Sequence, residues 1–255
     1  MSITMLQEEI RRKKTPLALA LGPEVERISP RILRNFTDMY GESVMAKAEA
    51  LRYHGCQMLD AAAEKLPAVV LEAGAYLRYG AMGFDVLANL VGAAKARGLY
   101  AIVDCRGAAA EPWLAALPQA DGVTVLPYVG ADACAAAEDK AVFALVSTAN
   151  ASAPDMQRLI AGDRQLYVAA AEQMARQGAA IALEGAYALD IRDLRRKLED
   201  TFFLLMDCDE QAASYAFDDY GHGALVTDST LQYAEDVTAA LEQAVAEGKK
   251  WVTVV

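Results

Sequence analysis

Tyr100-Ala101-Ile102-Val103-Asp104-Cys105-Arg106-Gly107 begins as an apolar, β-prone run, ends in an acid, a thiol and a base, and then turns at glycine. Unbroken apolarity, as opposed to alternation, marks a strand covered on both faces, as in a parallel sheet. In such sheets chemistry gathers at the carboxyl ends of the strands. Asp104 and Arg106 are therefore the candidate catalytic residues.

The same pattern recurs on both sides of this stretch. Before it come Leu17–Leu21, closed by Gly22-Pro23, and Ala68–Leu71; after it come Gly122–Leu126, Val142–Val146, Ile181–Leu183, Phe202–Met206 and Ala224–Val226. Helical periodicity fills the intervals: from Ser29-Pro30 to Lys65, with breaks expected near Gly41 and Gly55, then Phe84–Arg97, Gln165–Gln177, Asp190–Leu198 and about Tyr233 to Lys249. Glu111 to Leu117 has room for only two helical turns. Eight strands alternating with helices predict one (β/α)8 barrel, a TIM barrel, over residues 1–255, with residues 1–14 as an N-terminal extension. A doubly wound open sheet is the alternative.

Composition narrows the function. The hydrophobic fraction of 55% supplies a large core, and the net charge of −11 argues against nucleic acid or an anionic membrane as partner. No apolar run reaches the roughly 18 residues of a membrane span. Arg11, Arg12, Lys13 and Lys14 are not followed by a signal-type apolar segment, so a cytoplasmic location is expected. The four cysteines and two histidines have no metal-type spacing, and reduced, mostly buried thiols are expected. No metal or cofactor is expected. His222, between two glycines, reads as a turn residue.

Several ordered motifs resemble the orotidine 5′-phosphate decarboxylase family, in its longer bacterial branch. Asp121-Gly122-Val123-Thr124-Val125-Leu126-Pro127-Tyr128-Val129-Gly130 is similar to that branch's D-A-V-T-V-N-P-Y-x-G. Val146-Ser147-Thr148-Ala149-Asn150-Ala151-Ser152-Ala153-Pro154-Asp155-Met156-Gln157 resembles its V-K-T-S-N-P-S-S-x-D-x-Q. Leu166-Tyr167, Gly221 to Val226 and Tyr233-Ala234 follow in the matching order. The resemblance implies a barrel that works without metal or organic cofactor. Two lysines and two aspartates, one lent by a partner subunit, stabilise a carbanion, and a lysine delivers the proton.

This chain departs from that pattern where the chemistry sits. In the central D-x-K-x-x-D, Asp104 keeps the first acid, Arg106 stands for the lysine and Ala109 for the second acid. Leu71-Glu72 replaces the K-P of strand two. Leu21-Gly22-Pro23 replaces L-D-P, whose acid holds the ribose. Ala149 replaces the pyrimidine-binding serine, between Thr148 and Asn150. Ser229-Thr230-Leu231-Gln232 replaces the turn that carries the phosphate arginine. An arginine holds its proton too tightly to be a general acid.

Carboxylates instead recur at strand ends: Glu72, Asp104, Glu184, Asp207, Asp209 and Asp228. They suit helix capping or an acidic mouth for a cationic or amine-bearing ligand. Glu72, Thr148, Asn150, Asp207 and Asp228 are the ligand-pocket candidates. Three expectations follow: a catalytically silent homologue, a retasked barrel enzyme with a non-phosphorylated ligand, or residual decarboxylation. A small molecule in the mouth and a homodimer are the partners left open, the dimer weakened by the shortened third helical segment.

Overall fold

The computed structural model describes residues 2–135, 139–218 and 223–251. Eight parallel strands close a barrel: β1 (Leu17–Leu21), β2 (Ala68–Glu72), β3 (Tyr100–Gly107), β4 (Gly122–Val125), β5 (Ala141–Ser147), β6 (Ala180–Glu184), β7 (Phe203–Met206) and β8 (Ala224–Asp228). Each pairs with its neighbours in sequence, and β1 pairs with β8. This is the barrel that the eight apolar runs predict, and closure excludes the open sheet.

The continuous apolarity of the strands is explained by three buried clusters. Ala68, Val70, Tyr100, Ile102, Phe143, Leu145, Ala182 and Leu204 fill the barrel interior. The alternate residues, such as Val69, Leu71, Ala101, Val103, Leu183 and Leu205, pack outward against the helices in two further clusters. Gly122 has inward parity, and a Cβ there would lie 2.8 Å from the Phe143 ring, so the position is kept free of a side chain.

Residues 2–13 form helix α1 (Ser2–Lys13), which is integral to the barrel. Leu6 and Ile10 join the interior cluster and close its amino-terminal end. The Ser2 hydroxyl meets the Tyr100 hydroxyl and donates to the Asp121 carbonyl at 3.1 Å. Asp121 in turn accepts from Lys95 Nζ at 2.7 Å and from the Ala101 amide at 2.8 Å. The barrel is therefore sealed below, and access is from the carboxyl ends above.

Helices α2 (Pro30–Tyr40) and α3 (Val44–Ala62) follow β1. The chain breaks at Gly41, whose φ is 69°, as expected. It does not break at Gly55, which lies inside α3. There the missing side chain admits Leu90 of α5 (Gly80–Ala96), whose Cδ1 would be 2.7 Å from a Cβ. Gly55 marks a close helix crossing, not a turn. The short α4 (Ala73–Leu77) precedes α5, and α6 spans only Glu111–Ala116.

Candidate active site at the barrel mouth

Strand parity decides which polar residues enter the mouth. Glu72 continues the inward series Ala68–Val70, Asp104 and Arg106 continue Tyr100–Ile102, and Glu184 continues Ala180–Ala182. Glu72 and Asp104 are register partners on adjacent strands. The β3–β4 pairing shifts between Val103 and Gly107, and Arg106 adopts φ 48°. That left-handed turn is unusual for a side chain larger than asparagine. It carries the guanidinium across the mouth.

Arg106 joins both walls. Its Nε donates to Asp104 Oδ2 at 3.1 Å, and its two terminal nitrogens donate to Glu184 Oε2 at 3.1 Å and Oε1 at 2.6 Å. The Glu184 pair is bidentate, the geometry in which a guanidinium is held most firmly. Burial alone would lower the Arg106 pKa, but Glu184 and Asp104 outweigh it and hold the group above its ordinary value. Asp104 is 4% exposed and is satisfied on its other side by the Thr124 hydroxyl at 2.6 Å. Thr124 Oγ1 also accepts from the Arg106 amide at 3.0 Å. Glu184 Oε2 accepts in addition from the Ala149 amide at 3.1 Å, at the position where the resemblance places a pyrimidine-binding serine.

Glu72 stands apart from this network. No described residue donates a hydrogen bond to it; burial first, then the neighbouring Asp104, Asp207 and Glu184, push its pKa up to about 7 against the pull of Arg106. Its side chain occupies the space beside β1: a Cβ on Gly22 would lie 2.5 Å from Glu72 Cβ and Oε2. The two departures from L-D-P and K-P are thus one steric unit. A glycine at 22 is what lets a glutamate at 72 fold inward.

The other candidates are placed differently. The Thr148 hydroxyl accepts from Gln157 Nε2 at 2.7 Å and lies 2.6 Å from Asn150 Oδ1. Both residues line a small pocket of about 170 Å³ with Tyr167 and Tyr187. Asp207, at φ 50°, accepts from the Ser229 amide at 3.0 Å. Asp228 accepts from the Thr230 amide at 2.8 Å and hydroxyl at 2.6 Å. Asp209 caps a short helix through the Ala212 amide at 2.7 Å. The turns after β7 and β8 thus spend their backbone donors on the chain's own carboxylates. Asp209 is a helix cap, Asp228 closes a turn on Thr230, and Glu72, Asp104 and Glu184 lie together at the mouth.

The reading from sequence missed Thr124 as the support of Asp104 and Glu184 as the anchor of Arg106. Inward parity within β4 and β6 was the available signal for both. Cys105 has outward parity, its thiol lies 3.0 Å from the Thr124 carbonyl, and burial pushes its pKa up to about 11, so it is a packed thiol. The four cysteines are free. Among the described residues, no group of His, Cys, Asp or Glu is arranged to hold a metal ion, and no helix is long and apolar enough to cross a membrane. His222 and Gly221 lie outside the described residues.

No family model matches the chain. It is 26% identical over 192 residues to the orotidine 5′-phosphate decarboxylase of Caldicellulosiruptor saccharolyticus, a match covering 66% of this chain and 63% of that protein. The corresponding protein of Caldicellulosiruptor bescii gives the same identity over the same coverage. The match thus spans less than two thirds of these relatives' length. In fold, the chain resembles the OMP decarboxylase of Leishmania donovani with a TM-score of 0.80, at 23% identity and 98% coverage of both chains. It also resembles the orotidine 5′-monophosphate decarboxylase of Plasmodium berghei with a TM-score of 0.82, at 14% identity and 97% coverage of both. The motifs, the sequence matches and the closed barrel agree: the chain is similar to the orotidine 5′-phosphate decarboxylases in sequence and shares their barrel fold.

Proposed function

We propose that this protein keeps the decarboxylase barrel as a catalytically silent homologue and does not decarboxylate orotidine 5′-phosphate. The observation that carries this reading is the Arg106 clamp. At the position of the proton-delivering lysine stands a guanidinium bound by Asp104 and bidentately by Glu184. A group held above its already high pKa does not release a proton to a carbanion. Nor is it free to act as a mobile cation, because its charge is already matched by two acids.

The remaining features act in the same direction. Catalysis of this kind must remove roughly 20 kcal/mol of barrier, much of it from fixed charges and from binding energy at the distant phosphate. Glu72 places a carboxyl where the resemblance implies a lysine, and Ala109 offers no acid to a neighbouring subunit. A phosphate dianion would have to displace Asp207 and Asp228 from the Ser229 and Thr230 amides. Purified protein should release no carbon dioxide from orotidine 5′-phosphate above background, and the gene should not rescue a pyrimidine auxotroph. Rescue would overturn the proposal.

Glu72 favours a second reading, a retasked enzyme. A desolvated carboxyl with a pKa near 7 is suited to acid–base work on a non-phosphorylated ligand entering the mouth. Any such chemistry would proceed on this chain's own side chains, without nucleic acid or membrane as partner.

A further inference from the structure

Large apolar side chains are exposed together on the β1–β2 side of the barrel. Met39 and Tyr40 end α2, Val44 and Met45 start α3, Leu77 ends α4, and Met82 lies in the first turn of α5; their exposures run from 39% to 64%. The turn at Gly41 joins the first two pairs. Packing of α3 on α5 brings the other two alongside. Arg52 Nη2 donates to Asp85 Oδ2 at 2.7 Å and Gly55 admits Leu90, so the two helices run in the same direction with their starts level. Each leads into the next barrel strand, which puts those starts at the mouth end. Although Ile32, Leu33 and Phe36 of α2 rest on the core, no residue of α2 is buried. Clustered apolar side chains of this kind mark an interaction surface, and three of the six are methionines, which adapt readily to an apolar partner.

The charge of this surface selects its occupant. Residues 30–59 and 74–89 hold five bases and four acids, net +1, which leaves −12 for the rest of a chain whose total is −11. We infer that the surface made by the ends of α2 and α4 and the starts of α3 and α5 is an interface between two copies of this chain, related by a two-fold axis. Elsewhere two such copies repel; here they meet without a like-charge field, and the two-fold sets the apolar patch against itself. A cationic partner would be drawn instead to the acidic mouth, and an anionic one gains almost nothing from a net charge of +1. Ala109 and α6 are no part of this surface, so the shortness of α6 does not weaken it. Nothing in the contact depends on what the mouth binds.

Analytical ultracentrifugation of the full-length protein tests this. At about 10 μM it should sediment at twice the chain mass of 27.3 kDa. The dimer should tighten as NaCl rises from about 20 mM to about 500 mM, because salt screens the repulsion between the acidic remainders and leaves an apolar contact intact. Met45→Glu and Met82→Glu each place a carboxylate in the contact twice over, and each should weaken the dimer at least about a hundredfold with the melting temperature unchanged. Ile160→Glu, at an apolar side chain 71% exposed beyond β5, should leave it as tight as before. A native protein that stays monomeric to about 100 μM, a dimer that survives both methionine substitutions, one that Ile160→Glu breaks equally, or one that added salt weakens would each overturn the assignment.

Discussion

Replacing Glu72 by glutamine should make the protein more stable, and increasingly so as the pH rises. The carboxyl has a pKa of about 7 in the fold against an ordinary 4.5. The folded state therefore binds more protons than the unfolded state between these values, and stability falls as pH rises through them. Below 4.5 both states are protonated and the residue contributes no pH-dependent term. Above 7 both are ionised, and the native state carries a penalty of about 3 kcal/mol, the free-energy equivalent of that difference in pKa. Glutamine keeps the shape and removes the charge, so its own burial cost does not vary with pH. In urea denaturation, the stability difference between Glu72→Gln and the native protein should grow by about 2.5 kcal/mol from pH 5 to pH 8. The other acids titrate in both proteins and largely cancel in that difference. A difference that stays flat across this range would refute the placement of Glu72 as a desolvated, unpartnered acid among Asp104, Asp207 and Glu184.

Gly22→Ala should destabilise by about 1–3 kcal/mol through collision with Glu72, and by much less in a Glu72→Ala background; additive effects in that cycle would show that the two positions are not one unit. Leu6→Ala should cost about 2–5 kcal/mol in thermal or chemical denaturation, because α1 closes the barrel floor and is no loose extension. Arg195→Met should cost at least about 2 kcal/mol, since this guanidinium donates to the Ala216, Leu198, Glu199, Thr201 and Gly223 carbonyls and lies 4.0 Å over the Phe203 ring; near-native stability would show that these acceptors find other donors.

The barrel was legible in the sequence because it rests on local patterns. Eight apolar runs of strand length, six of them followed by a turn and a helical period, leave few topologies open, and a strand buried on both faces needs no partner residue to be named. Asp104 and Arg106 were legible for the same reason, as polar residues at a strand end. The short α6 could also be read directly, from the few residues available to it.

Tertiary structure alone decided what these residues do. Arg106 stands two residues from Asp104 but 78 from Glu184, and it is Glu184 that locks it. Gly22 is 50 positions from the Glu72 it accommodates. Asp207 and Ser229 meet only because β7 and β8 are neighbours. Gly55 resembles a helix break in one dimension and proves to be a contact with α5 in three. The N-terminal segment shows its amphipathic purpose only when the barrel offers an open floor. Periodicity encodes which face of an element is buried; charge pairing and close contact depend on distances between elements, which closure of the barrel sets.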